Sequence, residues 1–260
     1  QGLRSGAGET LVPIQDIETG RYGYYNSEGN LVIPKKYREA YTFYNKRAIV
    51  KENESYKLID RFGSTIMDFD IFLENGEFIS DAVGDIYSVY KKGNDKNEFN
   101  YIYRVGKGII LNADKDIIST DLLISGDIYA ETTDGIYMIY DRTGSKKIEN
   151  SHVDILYDNS ANIYRALSNF CDDIPLYRII SNDGREILIA ADNKYGEIGN
   201  GLFYVYDNKT ITIYDSAGNI FKTIRVENSI YQVYSDNGVV FCTDVSGTLK
   251  GYTYMGEELF

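Results

Sequence analysis

One histidine, His152 in "ENSHVDILYD", is all the imidazole the chain offers. No metal cluster or relay built on several histidines is possible, and a lone histidine in a connection is more often an ordinary surface residue than a general base. Carboxylates are abundant instead. Asp172-Asp173 in "SNFCDDIP", Asp114 and Asp116 in "NADKDI", and Glu257-Glu258 are pairs of the kind that cleave glycosidic bonds. A chain this acidic produces such pairs without selection, so solvated loop charge is the simpler account. The clusters "KKGNDKNEFN" and "AADNKYGEIGNG" hold the oxygen ligands calcium prefers, yet neither follows the D-x-[DN]-x-[DN]-G spacing. Turn chemistry explains the same Asn, Asp and Gly residues. "RVGKGII" contains G-x-G without a strand-loop-helix context and reads as a hairpin turn. No metal, cofactor or catalytic set is therefore expected.

The totals narrow the partners. With 27 basic and 39 acidic residues among 260, the formal net charge is −12, which repels phosphate backbones and argues against nucleic acid. The basic pairs Lys35-Lys36 and Lys146-Lys147 are short and flanked by strand-like residues, as on solvated sheet edges. No apolar run reaches 18 residues, so no membrane-spanning helix is expected. The opening "QGLRSGAGET" is polar and small. Residues 1–9 read as a linker or processed end, which would suit a secreted or surface-attached, extracytoplasmic protein. Cys171 and Cys242 are too few for a disulfide framework and read as free thiols, Cys242 as a small core residue in "GVVFCTD".

The elements that would position any site come from a repeat. Tyrosine is the dominant aromatic, 25 residues beside 11 Phe and no Trp, and it favours half-buried pleated surfaces. Aligning on the glycine of "RYGYYNSEGNLVI" recovers six further segments, with turn glycines at Gly29, Gly63, Gly106, Gly144, Gly184, Gly218 and Gly256, in steps of 34 to 43 residues. Each is an alternating strand, a short polar turn ending in glycine, and a second alternating strand, which is a β-hairpin. Further strand-like runs such as "RAIVKE", "DIYSVY" and "LFYVYD" lie upstream, giving three to four strands per unit.

One four-stranded sheet cannot bury both faces, whereas sheets stacked face to face around an axis bury all but their edges. The expectation is an all-β β-propeller of about seven blades of three to four antiparallel strands, six or eight remaining open, formed as a single domain over 10–260. An open solenoid or two stacked sandwiches are the rivals. The first unit begins at its second strand, in "TLVPIQD", and the last ends in "EELF".

The stretch "RYGYYNSEGNLVIPKKYREAYTFYNKRAIV" resembles the WG repeat. The matching positions are Tyr22, Gly23, Tyr24, Gly29, Val32, Ile33, Pro34, Tyr37, Ala40, Phe43, Ala48 and Val50, with Tyr22 standing where the family has tryptophan. The resemblance covers one unit well and a second in part through "YKLIDRFG". It implies propeller-like blades and carries over no catalytic residues.

Two connections between second and third strands, 91–99 and 168–175, read as long loops, and long loops in compact domains are commonly functional. They nominate Asn94, Asp95, Asn97, Phe99, Phe170, Asp172, Asp173 and Tyr195 as ligand-binding residues, polar groups among apolar anchors suited to a sugar or polar peptide. The expected function is a non-enzymatic binding or scaffold module recognising a protein or glycan through one face. The alternatives are a propeller glycosidase or lyase using carboxylates at a central channel, and a purely structural spacer.

Overall fold

The computed structural model describes residues 10–113, 116–151 and 154–260. The linker expected over residues 1–9 lies outside the described residues, as do His152 and Asp114. The described chain is all-β, with no α-helix and a single three-residue 3-10 turn at Asp192–Lys194 among its named elements. It forms seven sheets of three or four antiparallel strands, each a meander of strands consecutive in sequence, an all-β fold of propeller-like sheets.

The first sheet contains β1 (Val12–Gln15), β2 (Tyr22–Tyr25) and β3 (Leu31–Tyr37). The second runs β4 (Glu39–Ala40), β5 (Arg47–Glu52), β6 (Ser55–Asp60), β7 (Thr65–Phe69), and the third β8 (Glu77–Val83), β9 (Ile86–Lys92), β10 (Asn97–Arg104), β11 (Gly108–Asn112). The fourth comprises β12 (Ile117–Leu122), β13 (Ile128–Thr132), β14 (Ile136–Tyr140) and β15 (Lys146–Ser151). The fifth is β16 (Ile155–Asp158), β17 (Ile163–Cys171), β18 (Ile174–Ser181), β19 (Glu186–Ala191), and the sixth β20 (Tyr195–Gly199), β21 (Leu202–Tyr206), β22 (Thr210–Asp215), β23 (Ile220–Arg225). The seventh has β24 (Ile230–Asp236), β25 (Val239–Asp244) and β26 (Leu249–Thr253), its fourth strand reduced to a bridge between Tyr252 and Glu258.

Two compact units divide these sheets, Gln1–Lys146 and Lys147–Phe260. In the first, alternation along each strand feeds two cores at once. Ala48 and Val50 of β5 pack with Tyr24, Ile33 and Tyr37 of the first sheet, while Ile49 between them packs with Ala82, Tyr87 and Val89 of the third. Successive side chains of a strand point to opposite faces, so a strand covered on both sides reads as the continuous apolar run "AIV". Ile86, Ile102 and Leu111 carry the third sheet onto Ile117, Ile128 and Ala130 of the fourth. In the second unit Phe203 of β21 faces Ile163, Ile179 and Ala190, and its neighbour Tyr204 faces Val233, Val240 and Cys242. Each fully buried isoleucine or phenylalanine is worth roughly 1.5–3 kcal/mol against leaving it in water.

The seven repeat glycines all take the left-handed conformation, with φ between 74° and 88°. Asp60, Asp141 and Asp215 open three of these turns, and each Oδ1 accepts the amides two and four residues on. Asn26 does the same in the first sheet, and in the fifth the Ser181 hydroxyl accepts the Arg185 amide at 3.1 Å. At Gly63 and Gly144 the glycine is required twice over. A Cβ at Gly63 would stand 2.9 Å from Cγ2 of Ile33 on the last strand of the preceding sheet, and one at Gly144 would collide with the Ile110 carbonyl oxygen.

The two segments expected as long loops are lengthened hairpins. β9 and β10 stay paired out to Lys92 and Asn97, and β17 and β18 out to Cys171 and Ile174. The second closes on Asp172 and Asp173 alone, at φ 48° and 65°. Two positive-φ residues give the turn whose twist matches that of the flanking strands, so the arms keep pairing instead of splaying.

Candidate functional site

In the second unit, a cleft of about 530 Å³ opens beside the extended arm of the fifth sheet. Leu167, Ser168, Asn169 and Phe170 of β17 form one stretch of its wall, joined by Arg178 of β18 and by Glu149 and Asn150 of β15. A register shift between Leu167 and Asn169 makes this wall. The extra residue bends the strand, as bulges do beside binding sites, and Phe170 is left 57% exposed on the rim. The Arg178 guanidinium is held from behind, its Nη2 donating to Asn150 Oδ1 at 2.8 Å and to the Glu149 carbonyl at 3.3 Å. Nη1 stands 3.9 Å from Glu186 Oε2, a loose and partly solvated pair. The cleft thus presents an apolar ring, carboxamides, the Glu149 carboxylate and a held guanidinium, groups that can both donate to and accept from a polar ligand.

Of the nominated residues, Phe170 alone lines this cleft, with Asp172 and Asp173 exposed at the tip of the same hairpin. Tyr195 is bound elsewhere. Its hydroxyl donates to Asp158 Oδ2 at 2.7 Å, its ring lies 4.9 Å from the Arg165 guanidinium carbon, and burial first, then Asp158, raises its pKa. Arg165 completes that network by donating Nε to Asp158 Oδ2 at 2.6 Å and Nη1 to Asp192 Oδ1 at 2.8 Å. Asn94, Asp95 and Asn97 are exposed at the β9–β10 turn of the first unit. Phe99, expected as a surface anchor, is a core residue at 5% exposure, edge-on to Tyr90 at 5.7 Å, because a register shift after it turns its side chain inward.

Of the remaining acid pairs, Asp114 lies outside the described residues. Asp116 adopts φ 59° at a bend, and Glu258 Oε1 accepts from Lys250 at 2.9 Å. Both cysteines are free, Cys171 exposed and Cys242 buried, where burial pushes the thiol pKa up. Sequence reading missed Arg178, Asn150 and Asn169. The available signal was Arg178 as a charged residue inside the apolar strand "IPLYRIIS", although alternation alone could not give it a neighbour on another sheet.

Consecutive antiparallel meanders built on a recurring strand-turn-strand unit define a repeat-built all-β protein. Residues 22–56 match the WG containing repeat, the family anticipated from the same residues. No curated protein matches the sequence significantly. Among solved structures the chain is similar to BamB from Moraxella catarrhalis, at 14% identity over 96% of this chain and 83% of that one, with a TM-score of 0.28. It is similar to Hsv2 of Kluyveromyces lactis at 11% identity, 90% and 87% coverage and a TM-score of 0.32. The computationally designed protein Ika8 gives 12%, 96%, 92% and 0.28. Likeness this low carries no inference about ligand or activity.

Proposed function

We propose that the protein is a non-catalytic binding module that takes a polar ligand, a glycan or a protein segment, at the cleft beside Phe170. The observation that carries this reading is that the exposed Phe170 ring and the Arg178 guanidinium, already held by Asn150, line the same open cleft. A ring of this kind stacks on the C–H face of a sugar or on an aliphatic side chain, while guanidinium and carboxamide groups fix orientation through oxygen acceptors. Partners already holding Arg178 reduce the ordering cost on binding.

The test probes the chain, Phe170→Ala and Arg178→Ala against arrayed oligosaccharides and arrayed peptides. A ligand of this site should lose at least about tenfold in affinity in both variants, the scale of one buried contact of about 1.4 kcal/mol. Ligands retained in full by both variants would move binding away from the cleft. Cleavage of a bound oligosaccharide would replace the reading with a hydrolase or lyase.

A further inference from the structure

A second cleft, of about 230 Å³, lies wholly within the first unit, between the segment after β7 and the third sheet. Its wall carries three carboxylates, Asp70, Glu74 and Glu77, and no lysine or arginine lines it. On a chain of net charge −12 this is a local concentration of negative potential with nothing in the wall to neutralise it. The rest of the surface it offers is aromatic apart from Ile109. Phe72 is 86% exposed, and Tyr101 and Tyr103 line the floor with Tyr87, whose ring stacks on Tyr103 at 5.3 Å and 25°.

The geometry is fixed before any ligand arrives. Glu77 Oε2 accepts the Glu74 amide at 2.8 Å, and Glu77 Oε1 accepts from Asn100 Nδ2, which anchors one carboxylate to the sheet. Tyr101 lines the same cleft, and burial, followed by the charges of Glu77 and Glu74, raises its pKa. Among the described residues, no three carboxylates here come close enough together to hold one metal ion. A compact divalent cation needs several oxygens at about 2.0–2.6 Å. A cation that spreads its charge along a chain does not.

We propose that this cleft binds an aliphatic diamine or polyamine. Its ammonium groups pair with the separated carboxylates, and the methylenes between them lie on the Phe72 and tyrosine rings, where cation–π attraction adds to apolar contact. The site is independent of the Phe170 cleft, which lies in the other unit and is lined by one carboxylate, Glu149, and one guanidinium, Arg178.

Calorimetric titration of the chain with putrescine and spermidine at constant ionic strength tests this, with choline as a singly charged comparison. The expected result is saturable binding at one site per chain, tighter for spermidine, weakened at least tenfold in an Asp70→Asn/Glu74→Gln double variant and in Phe72→Ala, and unchanged in Phe170→Ala. Both acids are exposed, and their variants should unfold at the parent's urea midpoint, which separates lost binding from lost fold. Non-saturating heat, or equal binding by the double variant, would mean diffuse counterion attraction and overturn the proposal. So would a lysine-rich peptide that binds at this cleft where the free amines do not.

Discussion

Arg165 and Asp158 face each other across adjacent strands of the fifth sheet, with Nε 2.6 Å from Oδ2 and Nη2 3.3 Å from Oδ1, and with the rings of Tyr177 and Tyr195 each 4.9 Å from the guanidinium carbon. The pair is largely withdrawn from water, at 15% and 8% side-chain exposure. A forked guanidinium satisfies both carboxylate oxygens at once, which lysine cannot.

Removing one member strands the other. Arg165→Met should therefore cost about 3–5 kcal/mol, the penalty of an uncompensated buried charge, read as a fall in the urea midpoint. Replacing both, as Arg165→Met with Asp158→Leu, should recover part of that loss. A single variant as stable as the parent would show that water reaches the pair.

Gly144 and Gly29 separate the two demands placed on the repeat glycines. Both have positive φ, 83° and 81°, but a Cβ at Gly29 meets nothing within 4 Å, while one at Gly144 meets the Ile110 backbone. Gly29→Ala should cost about 1–2 kcal/mol, the left-handed penalty alone. Gly144→Ala should cost at least about 2 kcal/mol more, since overpacking against backbone adds roughly 1–3 kcal/mol. Equal thermal shifts would remove the packing half of the argument.

Two tyrosines of the WG repeat should answer oppositely to loss of the hydroxyl. Tyr24 donates to the Tyr41 carbonyl at 2.8 Å, and Tyr24→Phe should destabilise by about 0.5–1.5 kcal/mol. The Tyr37 hydroxyl is buried with no hydrogen-bond partner among the described residues, so Tyr37→Phe should be neutral or stabilising. Chemical denaturation of the two variants side by side decides it. Destabilisation by Tyr37→Phe would point to an ordered water at that oxygen.

Acid should act on the second unit through Asp244. Hydrogen bonds from the Ser246 side chain, then from Asn228 and the Thr248 amide, hold its pKa down to about 2. The folded value lies below the unfolded value of about 3.9, so the stabilisation is whole above roughly pH 4 and is lost as pH falls through 2. Asp244→Asn keeps an acceptor but no charge, and its deficit against the parent should shrink as pH drops over that window. A deficit constant with pH would assign the effect to geometry instead of ionisation.

The meander and its turns were legible in the chain itself. Asp141 followed by Gly144 specifies a tight turn locally, and "RAIV" between polar ends specifies a strand covered on both faces, because both signals lie within a few residues. The candidate site was legible only in part. Phe170 was found from its neighbours, but "KKGNDKNEFN" and "SNFCDDIP" looked like irregular loops since Asn, Asp and Gly favour reversal wherever they occur. Nothing local shows that the flanking residues would go on pairing.

What the sequence determined alone was therefore periodic: strand, turn and the need for sheets to stack, all consequences of alternation at short range. Tertiary structure decided which residues meet. It put Phe99 inside and Phe170 outside through register shifts on two similar hairpins, brought Arg178 to Asn150 from another sheet, and gathered Asp70, Glu74 and Glu77 around Tyr101. Those pairings depend on how whole sheets pack against one another, and the packing is set by many side chains jointly, beyond the reach of any one segment.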